Sequence, residues 1–263
     1  MTWELYDRLI EGVPSDAVVL DYCLGLHWSY LEATCGIGGA FTVTGGAPRK
    51  HKANLYGRSL QEIASFAKSW NWEEATLGVA ALNAWYSQAD RVNAIGEATG
   101  NETWQVNGNA SQEDAFTALS STIESFHSER SEDGRANVVV VGHFPHVNEI
   151  AEYANLTVLE RNCRNDCDTP DPACEYVLPQ ADFAFITGVT LINKTAPRIL
   201  ELAKDATTIM VGPSVVLSPI LFEYGADLLA GCVLDDPKRA RFSVKNGYGR
   251  LFGEDVLLTK CSH

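Results

Sequence analysis

The stretch Asn137–Val147, "NVVVVGHFPHV", decides how the rest of the chain is read. Four consecutive valines suit a strand covered on both faces, the environment of a parallel sheet flanked by helices. The run stops on Gly142, His143, Phe144 and Pro145, and Gly142 permits the sharp exit that brings backbone close to whatever lies at the strand's carboxyl end. A buried parallel strand feeding a ligand-facing turn is therefore expected here.

Working downstream, a helix over Val147–Tyr153 and a strand over Leu156–Leu159 complete a βαβ unit whose second strand ends on Glu160. In nucleotide-binding sheets a carboxylate at that place accepts hydrogen bonds from ribose hydroxyls. The glycine fingerprint is missing, since "GHFPH" offers one glycine where GxGxxG offers three, so a standard NAD site is disfavoured. The "GIGG" at Gly36 cannot replace it, because the strand-like "AFTV" follows instead of a helix. Further strands are predicted in "ADFAFIT", Thr207–Val211 and "ADLLAGCVL", with intervening helices over Ala196–Ala203, capped by Thr195, and Ile220–Tyr224. Three strands thus end in glycine- or hydroxyl-rich loops: Gly142–Pro145, Thr187–Thr195 and Gly212–Ser218. In a doubly wound sheet such loops converge at the carboxyl edge, where ligands bind, although each alone is ordinary turn composition.

Upstream, Trp3–Ile10 has a helical apolar stripe, and Ala17–Val43 reads as an antiparallel meander with glycine pairs at its turns. The loop "GGAPRKHKANLYGRS" is the most basic part of the chain and reads as a solvated segment. Ser59 with Glu62 predicts a capping box opening a helix through Ile63, Phe66, Ala67 and Trp70. A second helix follows in "NWEEATLGVAALNAWYS", where Ala75, Gly78, Ala81 and Ala84 keep its faces small for close packing. The polar Lys68, Glu74 and Asn83 interrupt these apolar surroundings, and exposure is the simplest expectation for each. Arg91–Gln112, rich in Asn, Gly, Thr and Ser, reads as a linker before a helix from about Glu113 to Ser125. Two domains are expected, residues 1–108 and 109–263: a smaller α+β unit, then a Rossmann-like α/β unit with a parallel sheet.

A net charge of −14 over 263 residues repels a phosphate backbone, and the basic residues do not cluster, so nucleic acid is not an expected partner. No apolar run approaches a bilayer-spanning length, and the charged N-terminus lacks a signal peptide's apolar core, which points to a cytoplasmic protein without a membrane partner. Seven cysteines, an odd number, suggest thiols or metal ligands rather than a disulfide scaffold. Cys163, Cys167 and Cys174 stand among Asp166, Asp168 and Asp171 in the densest cluster of potential metal ligands. They could hold zinc or a soft transition metal ion with a fourth ligand, although the spacing is not the paired CxxC of a structural zinc site, and a free-thiol loop is an equal expectation.

With "KSWNWEEATLGVAALNAWYS", "VVVVGHFPH", "TVLER", "TGVTLINKT", "VGPSVVLSPILFEYG" and "LLAGCV" assembled, the chain resembles the heavy-metal chelation domain family over nearly its whole length. The resemblance implies a first domain similar to the enolase N-terminal domain, a Rossmann-like second domain, and a functional cleft between them. Position by position it points to Lys68, Asn71, Glu74 and Asn83 in the first domain. In the second it points to His143, Phe144, Glu160, Thr190, Asn193, Thr195, Pro213, Ser214 and Ser218. His143, Lys68 and Glu74 are the candidates for acid–base chemistry, and the others for ligand contacts. Lys68 and Glu74 could instead form an ion pair fixing the domains together.

The expected function is therefore binding of a small molecule or metal chelate in an interdomain cleft, with an enzyme of heavy-metal chelator metabolism as the catalytic form of that reading. A nucleotide- or S-adenosylmethionine-dependent transferase and a non-catalytic thiol/imidazole metal-binding protein are the alternatives. The cofactor is open, with a transition metal ion one candidate, and a homo-oligomer is allowed by the sequence.

Overall fold

In the computed structural model, residues 3–51, 54–98, 115–251 and 253–260 are described. The first part opens with helix α1 (Glu4–Glu11) and the antiparallel meander β1 (Val19–Leu24), β2 (Trp28–Ala33) and β3 (Gly36–Phe41). Helix α2 (Leu60–Ala64) tightens into a 3-10 turn (Ser65–Lys68), and helices α3 (Trp72–Tyr86) and α4 (Ala89–Ala98) follow. Asn71 makes the break before α3 by accepting from Glu74 N–H at 3.0 Å, while its amide donates to Ala47 O at 2.9 Å.

The second part contains α5 (Ala115–Ser125), β4 (Asn137–Val141), a 3-10 helix (Val147–Glu152), β5 (Asn155–Glu160), β6 (Asp168–Pro170) and α6 (Cys174–Val177). It continues through β7 (Phe183–Thr187), α7 (Val189–Asn193), α8 (Ala196–Leu202), β8 (Thr207–Val211), α9 (Ile220–Glu223), β9 (Leu228–Val233), α10 (Pro237–Lys245) and β10 (Glu254–Thr259). Among the described residues these strands form one sheet in the order β10-β9-β8-β7-β4-β5-β6, parallel except where β10 pairs antiparallel with β9. Strand order reverses between β4 and β7, so the sheet is doubly wound.

The valine run performs as its composition predicts. Val139 and Val141 join one buried cluster, and Val138 and Val140 join the other, on opposite faces of β4. The first cluster also contains Leu5, Leu9, Ala80 and Ala84, so the initial α+β part and the large sheet share a continuous apolar core. The second is closed by Ile123 of α5 and by Val147 and Ile150.

Several local expectations are corrected. Residues 91–98, expected in a linker, belong to α4; the rest of that segment and the boundary between 108 and 109 lie outside the described residues. Ser59 precedes α2 but makes no side-chain cap: its hydroxyl donates to Ser15 O at 3.5 Å, and Arg58 captures the Glu62 carboxylate instead. Thr195 likewise does not cap α8: its backbone is already helical, φ −84° and ψ −15°, and its hydroxyl donates to Asn193 Oδ1 at 2.7 Å. The short strands β6 and β10 and the helix α7 are additions to the elements read from the sequence.

Candidate functional site at the carboxyl edge of the large sheet

At the reversal point the strand ends are held level by backbone bonds. Gly142 N–H donates to Leu159 O at 2.9 Å, Gly188 N–H to Val211 O at 2.9 Å and Gly212 N–H to Ala230 O at 2.8 Å. Gly142 and Gly212 have φ of 94° and 99°, left-handed turns that favour glycine. Phe144 folds back beneath this turn: its ring packs on Phe116 at a centroid distance of 5.3 Å and beside Gly212. Its evident contribution is to fill the base of the edge.

His143 stands out from the same turn with 43% of its side chain exposed. Its Nδ1 is 3.8 Å from Asp168 Oδ1, and its Nε2 is 3.4 Å from Asn165 Nδ2. Asp168 is placed by β6, and its Oδ2 accepts from Arg164 N–H at 2.7 Å and Asn165 N–H at 2.9 Å. Those two amides, aided by His143, hold the Asp168 carboxyl below its ordinary range. A fixed carboxylate facing an accessible imidazole is an arrangement that can orient and carry a proton. Glu160 ends β5 half-buried, with Oε1 accepting from Arg161 N–H at 2.9 Å. Arg161 pairs with Asp171 at 2.8 Å and lies 5.3 Å from the centroid of the Trp72 ring, reaching across to the start of α3.

The loops after β7 and β8 behave differently, because their polar groups are spent within the protein. Ser214 Oγ accepts from Phe41 N–H at 2.8 Å. Asn83, buried, donates to Gly39 O at 2.9 Å and Pro213 O at 3.2 Å, and accepts from the Ser87 hydroxyl at 3.0 Å. Thr190 donates to Thr187 O at 2.7 Å, Asn193 takes both Thr195 groups, and Ser218 is buried beside Ile220 N–H. Gly188 lies so close to Ser214 and Val215 that a Cβ would overlap their backbone.

The first-part candidates are also engaged away from His143. Lys68 pairs with Asp7 at 2.5 Å, not with Glu74. Glu74 is buried rather than exposed, and accepts from Lys50 N–H, His51 N–H and the Ser69 hydroxyl, each at 2.6 Å. Burial opposes its ionisation, but the bonds from His51, Ser69 and Lys50 outweigh that and hold the carboxyl below its usual range. Glu74 is thus the anchor of the basic loop, whose composition alone predicts only a solvated segment.

The three cysteines do not converge into the expected metal site. Among the described residues no group of three or more His, Cys, Asp or Glu is placed to hold a metal ion. Cys163 is exposed with Sγ 3.6 Å from Glu160 O, Cys167 donates to Asn148 Oδ1 at 3.2 Å, and Cys174 packs against the core. Burial pushes the Cys167 and Cys174 thiols up, away from the thiolate that a soft metal requires. A resident metal ion therefore does not fit these side chains as placed.

Sequence reasoning missed Asp168 as the partner of His143, the Arg161–Trp72 contact, and Lys194. The last is buried at 3% exposure, with φ of 69° and its ammonium on the carbonyls of Ser69 and Ile192. No periodicity or motif marks such partners, since they are distant in sequence or bonded through backbone.

These features define a doubly wound α/β protein whose α+β first part is bonded to the carboxyl-edge loops of the sheet. The chain belongs to the DUF364 family: residues 125–255 match that family's model, described as "Putative heavy-metal chelation", and residues 6–86 match a second model with the same description. A crystal structure of a DUF364-family protein of unknown function from Desulfitobacterium hafniense is 31% identical, covers 98% of each chain and superposes with a TM-score of 0.84. Another of unknown function, from Pyrococcus horikoshii, is 21% identical over 97% of this chain and 98% of that one, with a TM-score of 0.72, and shares the fold. An uncharacterized protein of Methanocaldococcus jannaschii is 28% identical over 252 residues, 90% of this chain and 87% of the relative. Among the described residues no helix is long and apolar enough to cross a membrane.

Proposed function

We propose that the protein binds a small polar molecule or metal chelate at the β4–β5–β6 side of the carboxyl edge, between His143, Glu160 and the start of α3. The observation that carries this reading is the contrast between loops. Those after β7 and β8 are bonded to the first part, through Leu191 and Lys194 in one and Pro213 and Ser214 in the other, whereas the β4 loop presents His143 to solvent with Asp168 fixed behind it. His143 supplies a donor, acceptor or proton carrier, and Glu160 a carboxylate for hydroxyl or amino groups. The family description supports a metal-linked ligand. Because the cysteines do not form a site, metal is read as arriving with the ligand. Thr190, Asn193, Thr195, Pro213, Ser214, Ser218, Asn71 and Asn83 support the walls rather than touch the ligand, and Lys68 and Glu74 stabilise the first part.

Thermal-shift screening tests this with transition-metal ions, amino-acid-derived chelators, nucleotides and S-adenosylmethionine, because a ligand of the native state at 100 times its Kd stabilises by about 2.7 kcal/mol. A chelator or metal–chelator pair is expected to raise the melting temperature, with the shift lost in His143→Ala and reduced in Glu160→Gln. A shift insensitive to both substitutions overturns the location. A shift with nucleotide or S-adenosylmethionine alone replaces the ligand class by that of a transferase.

A further inference from the structure

Lys194 is a buried lysine, 3% exposed, at the junction of the two parts. It follows α7 in a left-handed conformation that non-glycine residues rarely adopt, and its side chain is almost entirely enclosed. Nζ donates to Ser69 O from the first part and to Ile192 O at 2.6 Å from its own helix end, and it lies 5.7 Å from the centroid of the Trp70 ring. No carboxylate among the described residues is bonded to it. The charged groups on the elements packed around it are committed elsewhere. Asp7 pairs with Lys68, Arg8 with Glu223, and Arg198 with Glu175 and Glu201. Glu74 accepts from backbone amides and the Ser69 hydroxyl, and Glu73 faces Gly45 N–H at 3.4 Å.

Two carbonyl acceptors give each hydrogen of a neutral amine a partner, and leave an ammonium only those carbonyls and the Trp70 ring face to offset its desolvation. A neutral amine has two hydrogens to donate, and it enters the protein without the desolvation that an uncompensated charge suffers. We propose that Lys194 is a proton-operated clasp between the two parts of the molecule, holding them more firmly when neutral than when charged. Burial alone lowers its pKa from 10.5 to about 8, which agrees in direction with that geometry. Between those values the unfolded chain keeps its proton while the native site has released it, so this residue's contribution to stability rises with pH across the window. The clasp reaches further than one contact. Ser69 hands a hydroxyl to Glu74, and Glu74 holds the amides of Lys50 and His51, so the basic loop is tied to the helix that follows β7.

The test compares wild-type protein with Lys194→Met between pH 6.5 and 10, by melting temperature and by NMR titration of labelled lysine side chains. One lysine signal, absent from the variant, is expected to titrate near pH 8, about two pH units before solvent-exposed lysines. The wild-type melting temperature should gain several degrees on the variant across the range. Hydrogen exchange, corrected for its intrinsic dependence on pH, should show protection over residues 65–70 and 189–194 increasing in the wild type and not in Lys194→Met. If the variant fails to fold, the wild-type titration and exchange decide alone. Lysines that all titrate above pH 10, a constant gap in melting temperature, or protection that falls as Lys194 loses its proton overturns the proposal.

Discussion

Glu74, for which exposure is the simplest expectation, is instead buried. Its helical position beside apolar neighbours singled it out, yet its carboxylate gathers one hydroxyl and two backbone donors rather than facing His143. Replacing it with Gln removes the charge and leaves donors short of acceptors, which should cost about 1–3 kcal/mol in urea denaturation. Its folded pKa is lowered from 4.5, so the stabilisation is present above that value and lost as pH falls below it. The gap between wild type and Glu74→Gln should accordingly narrow in acid. Asn83→Ala should likewise cost about 1–3 kcal/mol, because it abandons the buried Gly39 and Pro213 carbonyls. Neither role was legible in the sequence: side-chain chemistry indicates what a group can bond, whereas its partner depends on residues up to 130 positions away.

At the scale of elements, the close approach of small residues was legible and its partners were not. Ala80 and Ala84 of α3 meet Gly38 of β3 so tightly that a Cβ on Gly38 would overlap Ala84 N and Ala80 O. Gly38→Ala should therefore lower stability by about 1–3 kcal/mol or more, measured by chemical denaturation. Gly188→Ala, pressed on the Ser214–Val215 backbone, should do the same and also displace the β8 loop. The strands of the large sheet were legible because burial on both faces demands apolar β-branched runs whatever the neighbours. The missing caps at Ser59 and Thr195 have different causes. Arg58 takes the Glu62 carboxylate that a capping box at Ser59 needs, whereas Thr195 already has helical backbone angles, φ −84° and ψ −15°, which do not aim its oxygen at the first free amides.

The two parts are tied by contacts between segments remote in the chain. Tyr6 donates from α1 to Leu191 O at 2.9 Å, Arg8 pairs with Glu223 at 2.7 Å, and Arg241 and Lys245 of α10 reach Glu32 and Asp21. With one apolar cluster running through both parts, calorimetry should show a single transition with equal calorimetric and van't Hoff enthalpies. Two separate transitions would instead mean that the parts hold their cores independently. Tyr6→Phe should lower the melting temperature more than Arg8→Ala, since the buried hydroxyl leaves a carbonyl unsatisfied and the Arg8 pair is solvent-exposed.

What the sequence by itself determined was the sheet and the placement of loops at its carboxyl edge, because periodicity and burial are local properties of strands and helices. It also carried the family resemblance. The tertiary structure decided which of those loops remain open, that Asp168 faces His143, that Cys163, Cys167 and Cys174 stand apart, and that Lys194 is buried with no counter-ion among the described residues. Each of these depends on distances between segments remote in the chain, and the chain order contains no measure of such distances until packing has set them.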